Sequence, residues 1–403
     1  MALAAAFLGW MFDGMEMGVF PLVARPALQE MQAGAGVLGE QFVQFWMGRI
    51  TALFLLGAAG GGLVFGWLGD RIGRVRAMSL SILAYSLFTG LAYFAAQPWH
   101  LGAFRFIAAL GMGGEWSLGV ALVMESWPAH KRPLMAGVIG AAANCGYALI
   151  AVVGACFSIT RDSWRWVMLV GATPAFLTLL ISLAVPESEQ WKQSVKGGPS
   201  RPVREIFSPA LRKTTLLAIV FASVALIVTW GIVQWIPLWA DEMTHGQRPK
   251  VKAYIQLASS IGAIVGCLIA PLVGGRFGRR PVYFGLCLSS LVVCTCLFRG
   301  FSVYNGAFLA TVGLVGMCTA AFYGWLPQYL PELFPTRVRA TGQGLAFNFG
   351  RILAALGAWH MGSVMAFFDK SYAQAGATIV LVYLVGMVLI WLAPETKDKP
   401  LPE

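Results

Sequence analysis

Twelve apolar runs, each long enough to cross ~30 Å of hydrocarbon as a helix, follow one another along this chain of 403 residues. They fall at 3–27, 44–68, 77–96, 99–124, 133–158, 163–184, 212–240, 252–274, 281–299, 304–328, 337–363 and 372–393. One span takes ~20 residues, so twelve use ~240 and leave short connections. The ten-residue alternation of a membrane strand does not occur, which points away from a barrel. Charged residues make up 12% of the chain, about half the ~25% of an ordinary soluble domain. That is too little to cover a soluble fold of this length. A soluble enzyme, a disordered chain and a disulfide-stapled module are all excluded. The expected class is an all-α membrane protein.

The net charge of +11 would suggest nucleic acid on a soluble protein. Here its distribution sets topology instead. With the N-terminus inside, eighteen of the 29 Lys and Arg fall in inner loops and eight at outer ends. By the positive-inside rule both termini are cytoplasmic, and nucleic acid is not expected as a partner. The seven Cys lie in or beside apolar runs without a CxxC pair, and the four His are scattered, so no metal or other cofactor is expected. The N-terminus lacks the basic region of a cleavable signal.

The polar connection after the sixth run, with Gly197, Gly198 and Pro199, reads as a linker. Residues 1–185 and 212–403 are then two six-helix halves, joined by a cytoplasmic segment at 186–211. The halves repeat. Glu125, Pro128 and Arg132 follow the fourth span, and Glu332, Pro335 and Arg339 follow the tenth, each offset by 207. Asp70, Arg71, Gly73 and Arg74 follow the second span; Gly275, Arg276, Gly278 and Arg279 follow the eighth, offset by 205. Two unrelated motifs sharing nearly one offset signal duplication. Duplicated halves with a site between them are the build of secondary transporters.

The stretch from Gly66 through Asp70, Arg71, Gly73, Arg74 and Arg76 resembles the loop 2–3 signature of the major facilitator superfamily, G-x-L-x-D-R-x-G-R-[RK]-[RK], departing at Val75. Arg105 with Gly111, Gly113 and Gly114 is similar to its fourth-span motif. Pro186, Glu187 and Ser188, and Pro394, Glu395 and Thr396, resemble the PES and PET stops of sugar-porter-like members. Asp13-Gly14-Met15-Glu16 resembles the D-G-[YF]-D of aromatic-acid and sialate proton symporters. The resemblance implies a fold of twelve spans in two pseudo-symmetric halves.

Charges within the spans cost ~2.5–3.5 kcal/mol each at mid-membrane, so each asks for a reason. Asp13 and Glu16 are three residues apart, on one helical face, and suit a proton carrier. Glu115 is ten residues from Arg105, ~15 Å along one helix, so its partner is elsewhere or it holds a proton. By the resemblance, Glu16–Arg105 is the coupling pair. Arg351 is mid-span, with Asn348 one turn earlier, and the 207 offset maps it onto Asn144. A buried Arg facing a cavity can grip a carboxylate bidentately; a salt bridge to Asp13 or Glu115 is the competing role. Tyr147, Gln234, Trp235, Tyr323, Trp325 and Gln328 are expected around it. Trp10 reads as an interfacial aromatic.

In the loops, Asp70 can accept from a helix N-terminus of the other half. Arg71, Arg74, Arg276 and Arg279 can reach Glu125 and Glu332, and Arg132 and Arg339 belong to the same repeated motifs. Such pairs would latch the cytoplasmic side while the outer side is open. The expected protein is a monomeric transporter of a bacterial inner membrane. It takes up a small organic anion (an aromatic acid, sialate or short carboxylate) with protons. A neutral sugar or polyol porter and a drug-type antiporter keep the fold and change the cargo. A non-transporting sensor would not need the acidic residues of span one. No nucleophile–base–metal grouping supports an enzyme.

Overall fold

A computed structural model describes residues 2–35, 40–157, 159–174, 184–196, 201–244, 247–248, 250–360, 367–368 and 371–402. The expected sixth span lies partly outside these residues, as do Gly197, Gly198 and Pro199 of the linker and the end of the eleventh span.

No strand occurs among the described residues. In the first half run α1 (Ala2–Ala35), α2 (Glu40–Ile72), α3 (Arg74–Leu91), α4 (Pro98–Ser126), α5 (Arg132–Cys156) and α6 (Trp164–Val170). Two short helices, α7 (Glu189–Lys196) and α8 (Pro202–Ile206), lie in the connection. The second half holds α9 (Arg212–Gly231), α10 (Ile236–Met243), α11 (Val251–Phe277), α12 (Arg279–Gly300), α13 (Gly306–Leu333) and α14 (Arg339–Trp359). It ends with α15 (Tyr372–Ile379) and α16 (Val382–Leu389). Among the described residues ten segments are long and apolar enough to cross a membrane. The eleventh expected span, α14, carries Gln343, Asn348 and Arg351, all buried, and is not among the ten. Large apolar side chains such as Leu87, Val265, Val292 and Val388 are exposed around the bundle, as lipid contact requires.

The halves meet through α2 against α14 and α5 against α11. A two-fold axis that carries the second span onto the eighth and the fifth onto the eleventh exchanges these two contacts. Near the basic end of the bundle, α4 and α5 also touch α13 and α14. Helices α1 and α9, which flank the space between the halves, are not packed on each other. The molecule is therefore closed at the basic end, with a central cavity beyond the closure.

Two glycines hold the repeated turns. Gly73 (φ +110°) and Gly278 (φ +99°) break α2 from α3 and α11 from α12 in a region that side chains rarely adopt. A Cβ at Gly73 would lie 2.2 Å from a Glu187 oxygen, and one at Gly278 would lie 3.0 Å from a Glu395 oxygen. The two carboxylates occupy the space each glycine leaves.

Candidate functional site

Three clusters of polar side chains stand out. The first lines a cavity of about 850 Å³ of empty space, part of it open to solvent. Asn144 and Tyr147 of α5, Gln234 after α9, Tyr323 of α13 and Arg351 of α14 all line it. Arg351 is 2% exposed. It donates to Asn348 Oδ1 at 2.5 Å, its Nε has no hydrogen-bond partner, and no carboxylate pairs with it among the described residues. Asn348 stands behind it, donating to Gly113 O of α4 and Gly344 O, both at 2.9 Å. One amide thus orients Arg351 and ties the two halves at mid-depth. Gly62 of α2 leaves room for it, since a Cβ there would meet Asn348 Nδ2 at 2.2 Å. Around the rim, Gln234 donates to the Tyr147 hydroxyl (3.2 Å) and Tyr323 donates to Thr229 (2.8 Å).

Helical geometry separates the expected lining residues. Trp325 is two positions from Tyr323, about 200° around the helix, and packs between Tyr283 and Tyr329 with both centroids at 4.7 Å. Gln328 lies against Gly274 of α11 and does not line the cavity. Trp235 donates to Trp230 O and faces a second, smaller cavity with Trp239 and Phe298. Trp10, read as interfacial, is buried and lines the main cavity. The sequence reading passed over Thr229, Gln256, Ser259, Ser260 and Thr319, which also line it. Their signal was a polar i, i+3, i+4 stripe at 256, 259 and 260 inside an apolar span.

The second cluster holds the acidic residues. Asp13 and Glu16 of α1 and Glu115 of α4 are 0–1% exposed. Arg105 donates to Glu16 in a buried ion pair, and Thr89 of α3 donates to the same carboxylate at 3.0 Å. The Arg105 guanidinium lies over the Phe54 and Phe20 rings, 4.6 and 5.1 Å from their centroids. Glu115 lies against α1 at Gly9, one turn before Asp13, where a Cβ would be 1.7 Å from its Oε1. Asp13, Glu115 and Arg351 are each eleven or twelve residues from the basic end of their helix, hence at a common depth of ~16–18 Å.

The third cluster closes the basic end. Asp70 accepts from Ala340 N (3.3 Å), Thr341 N (2.9 Å) and the Thr341 hydroxyl (2.6 Å) at the start of α14. Arg74 binds Asp70 (2.9 Å), Glu125 (3.0 Å) and Thr336 O of the second half (2.8 Å). Arg339 reaches across to Glu125 at 3.0 Å. In the second copy Arg279 pairs with Glu332 at 2.6 Å, and Gly275 stands where Asp70 would be. Arg132 mirrors Arg339 at Nε, donating to Met124 O and Trp127 O as Arg339 does to Pro331 O and Phe334 O, but only Arg339 also reaches a carboxylate of the other half. Arg71 and Arg276 are exposed, over Trp67 and Phe277. Only the first copy therefore bridges the halves. The two stops are equivalent: Ser188 donates to Glu125 and Thr396 to Glu332, each at 2.5 Å.

A two-fold bundle with a central polar cavity and an ionic closure at one end defines a membrane transporter of the alternating-access class. The Major Facilitator Superfamily profile matches residues 2–358, and the chain belongs to that family. It is 30% identical over 368 residues to a putative metabolite transport protein of Haemophilus influenzae, covering 88% of each chain. It is 26% identical to the sialic acid transporter NanX of Escherichia coli (97% of this chain, 92% of that one). It is 25% identical to the gentisate transporter of Corynebacterium glutamicum (97% and 88%). Among solved structures the proton:xylose symporter XylE, bound to a glucose analogue, superposes with a TM-score of 0.77 at 16% identity, over 99% and 97% of the chains. That likeness is one of fold. The protein is an integral-membrane transporter, not an enzyme.

Proposed function

We propose that this transporter takes up a small organic anion together with protons. Arg351 carries the reading. A buried guanidinium at a cavity wall, without a directly paired carboxylate among the described residues, leaves its fork free to bind an anionic substrate. Its fork suits a carboxylate. Asn144, Tyr147, Gln234 and Tyr323 would contact the rest of the substrate, with Trp10 and Phe347 as apolar walls. Asn348 would hold Arg351 in place. Names among the relatives, sialic acid and gentisate, support an acidic cargo.

Asp13, Glu16, Glu115 and Arg105 supply the proton-coupling group. Asp70, Arg74, Glu125 and Arg339 form the cytoplasmic gate, with Arg279 and Glu332 bracing the second half. The basic end faces the cytoplasm under the positive-inside rule, with both termini there. The conformation described is then outward-facing. A bacterial inner membrane and a monomer fit this arrangement, and each six-helix half acts as one rocking unit.

A neutral sugar is the second reading, favoured by the uncharged stripe of Gln256, Ser259 and Ser260. Uptake into proteoliposomes under an inward proton gradient separates the two. Gentisate or sialic acid should accumulate and xylose should not. Arg351→Lys should weaken apparent affinity for the acid about tenfold or more, since Lys lacks the fork. Accumulation of xylose alone, or an unchanged affinity in Arg351→Lys, overturns the anion reading.

A further inference from the structure

The acidic residues of the second cluster are held in two different ways. Glu16 is matched at Oε1, to which Arg105 and Thr89 both donate, while its Oε2 has no partner among the described residues. Asp13 and Glu115 are unmatched. Glu115 Oε1 lies against Gly9, one turn before Asp13 on the same side of α1, since a Cβ at Gly9 would lie 1.7 Å from it, and no N–H or O–H of any described residue reaches any of the four oxygens of Asp13 and Glu115. Two ionised carboxylates cannot share such a buried site without donors, because both only accept. A carboxyl and a carboxylate can, with one proton between them, as like charges at one site require.

Every neighbouring charge bears on this arrangement. On α1 itself the nearest charge is Glu16, already neutralised by Arg105 of α4. From α3 the Tyr85 hydroxyl, fully buried and also without a hydrogen-bond partner among the described residues, comes within electrostatic reach of both carboxylates. From α14 comes Arg351, at the depth of Asp13, and from α5 Tyr147, which lines the cavity with Arg351. Arg351 has no carboxylate paired with it among the described residues.

We propose that Asp13 and Glu115 hold a single proton between them, and that this dyad, rather than the Glu16–Arg105 pair, is the proton-carrying site of the transporter. The inference rests on the proton-coupled reading above and divides its acidic residues into a carrier and a fixed brace. It also gives the coupling a route. With the cavity empty, Arg351 loosens the dyad's hold on its proton. A substrate carboxylate on Arg351 cancels that influence and tightens the hold. Anion and proton therefore strengthen each other's binding, reciprocally, as linkage demands. No bond is made beyond the transfer of one proton from water to a carboxylate oxygen.

Infrared spectroscopy of the full chain in lipid at neutral pH tests the assignment without any substrate. The wild type should show the C=O stretch of a protonated carboxyl. The band should vanish in Asp13→Asn/Glu115→Gln and persist in Glu16→Gln. Should the double variant not fold, Glu115→Gln alone serves, because its amide donates to Asp13 and leaves it ionised. No band in the wild type, a band that survives loss of the dyad, or a band lost with Glu16 overturns the proposal. With gentisate as probe, Asp13→Asn should retain counterflow between equal pools and lose gradient-driven accumulation. If gentisate moves in no variant, the substrate reading fails while the infrared result still decides the dyad.

Discussion

A few side chains carry most of the chemistry because so few are charged. Arg351 would be costly in hydrocarbon; among the described residues Asn348 is its hydrogen-bond partner, and its guanidinium lies over the Phe347 ring, 5.6 Å from the centroid. That amide spends its two N–H groups on Gly113 O and Gly344 O and its oxygen on Arg351, so nothing is left over if it moves. Asn348→Ala removes that support without crowding the Gly62–Gly344 backbone contact; we expect it to bind the anion about tenfold more weakly, about 1.4 kcal/mol, because Arg351 loses its orientation. Direct binding measurements on purified protein check this, and an affinity equal to wild type would show that Asn348 is only a packing residue. Arg351 and Asn348 were legible in the sequence as polar groups at mid-span depth. Trp325 and Gln328 were named there too, but spacing alone does not say which face of a helix meets the cavity.

At the scale of elements, the two stops act as caps rather than as mere ends. Glu395 accepts from Arg279 N (2.9 Å) and Arg280 N (3.1 Å) at the start of α12, and from Thr396 N and Lys397 N. Burial pushes its carboxyl up, but these backbone donors outweigh burial and hold it below the usual carboxylate range. A carboxyl lowered by folding stabilises the fold above its unfolded value of ~4.3, and that contribution fades as pH falls through the folded value. Glu395→Gln should therefore cost about 1 kcal/mol at pH 7, in the range of a lost helix cap. Thermal melts in detergent should show the gap to wild type closing on acidification; a gap independent of pH would mean the charge is not what caps α12. The PES and PET stretches were readable only as a family likeness. Their physical role needed the turn at Gly73 and Gly278, whose positive φ leaves the space that Glu187 and Glu395 fill.

The whole molecule is asymmetric where its sequence is nearly duplicated. Glu125 and Glu332 are offset by 207 and each binds the Arg of its own half, yet only Glu125 also takes an Arg from the other half. The substitution of Gly275 for Asp70 removes the acceptor that would bind the opposite helix start. The repeat and the interdomain reach of Asp70 were thus legible beforehand. The choice of Arg339 over Arg132 was not, because it depends on how far the halves have rocked. Arg339→Ala should weaken the closure and raise the population open at the basic end, about tenfold for a loss of ~1.4 kcal/mol. Distances between spin labels placed across that end report it. A distribution identical to wild type would mean that Asp70 and Arg74 close the end alone.

The central claim is that an anion and a proton cross together. Proteoliposomes loaded with a pH-sensitive dye and given gentisate outside, at equal starting pH and with potassium and valinomycin clamping the potential, test it directly. The lumen should acidify as the acid enters, and Asp13→Asn should abolish the acidification. Entry of gentisate with no change of internal pH in the wild type would contradict the account.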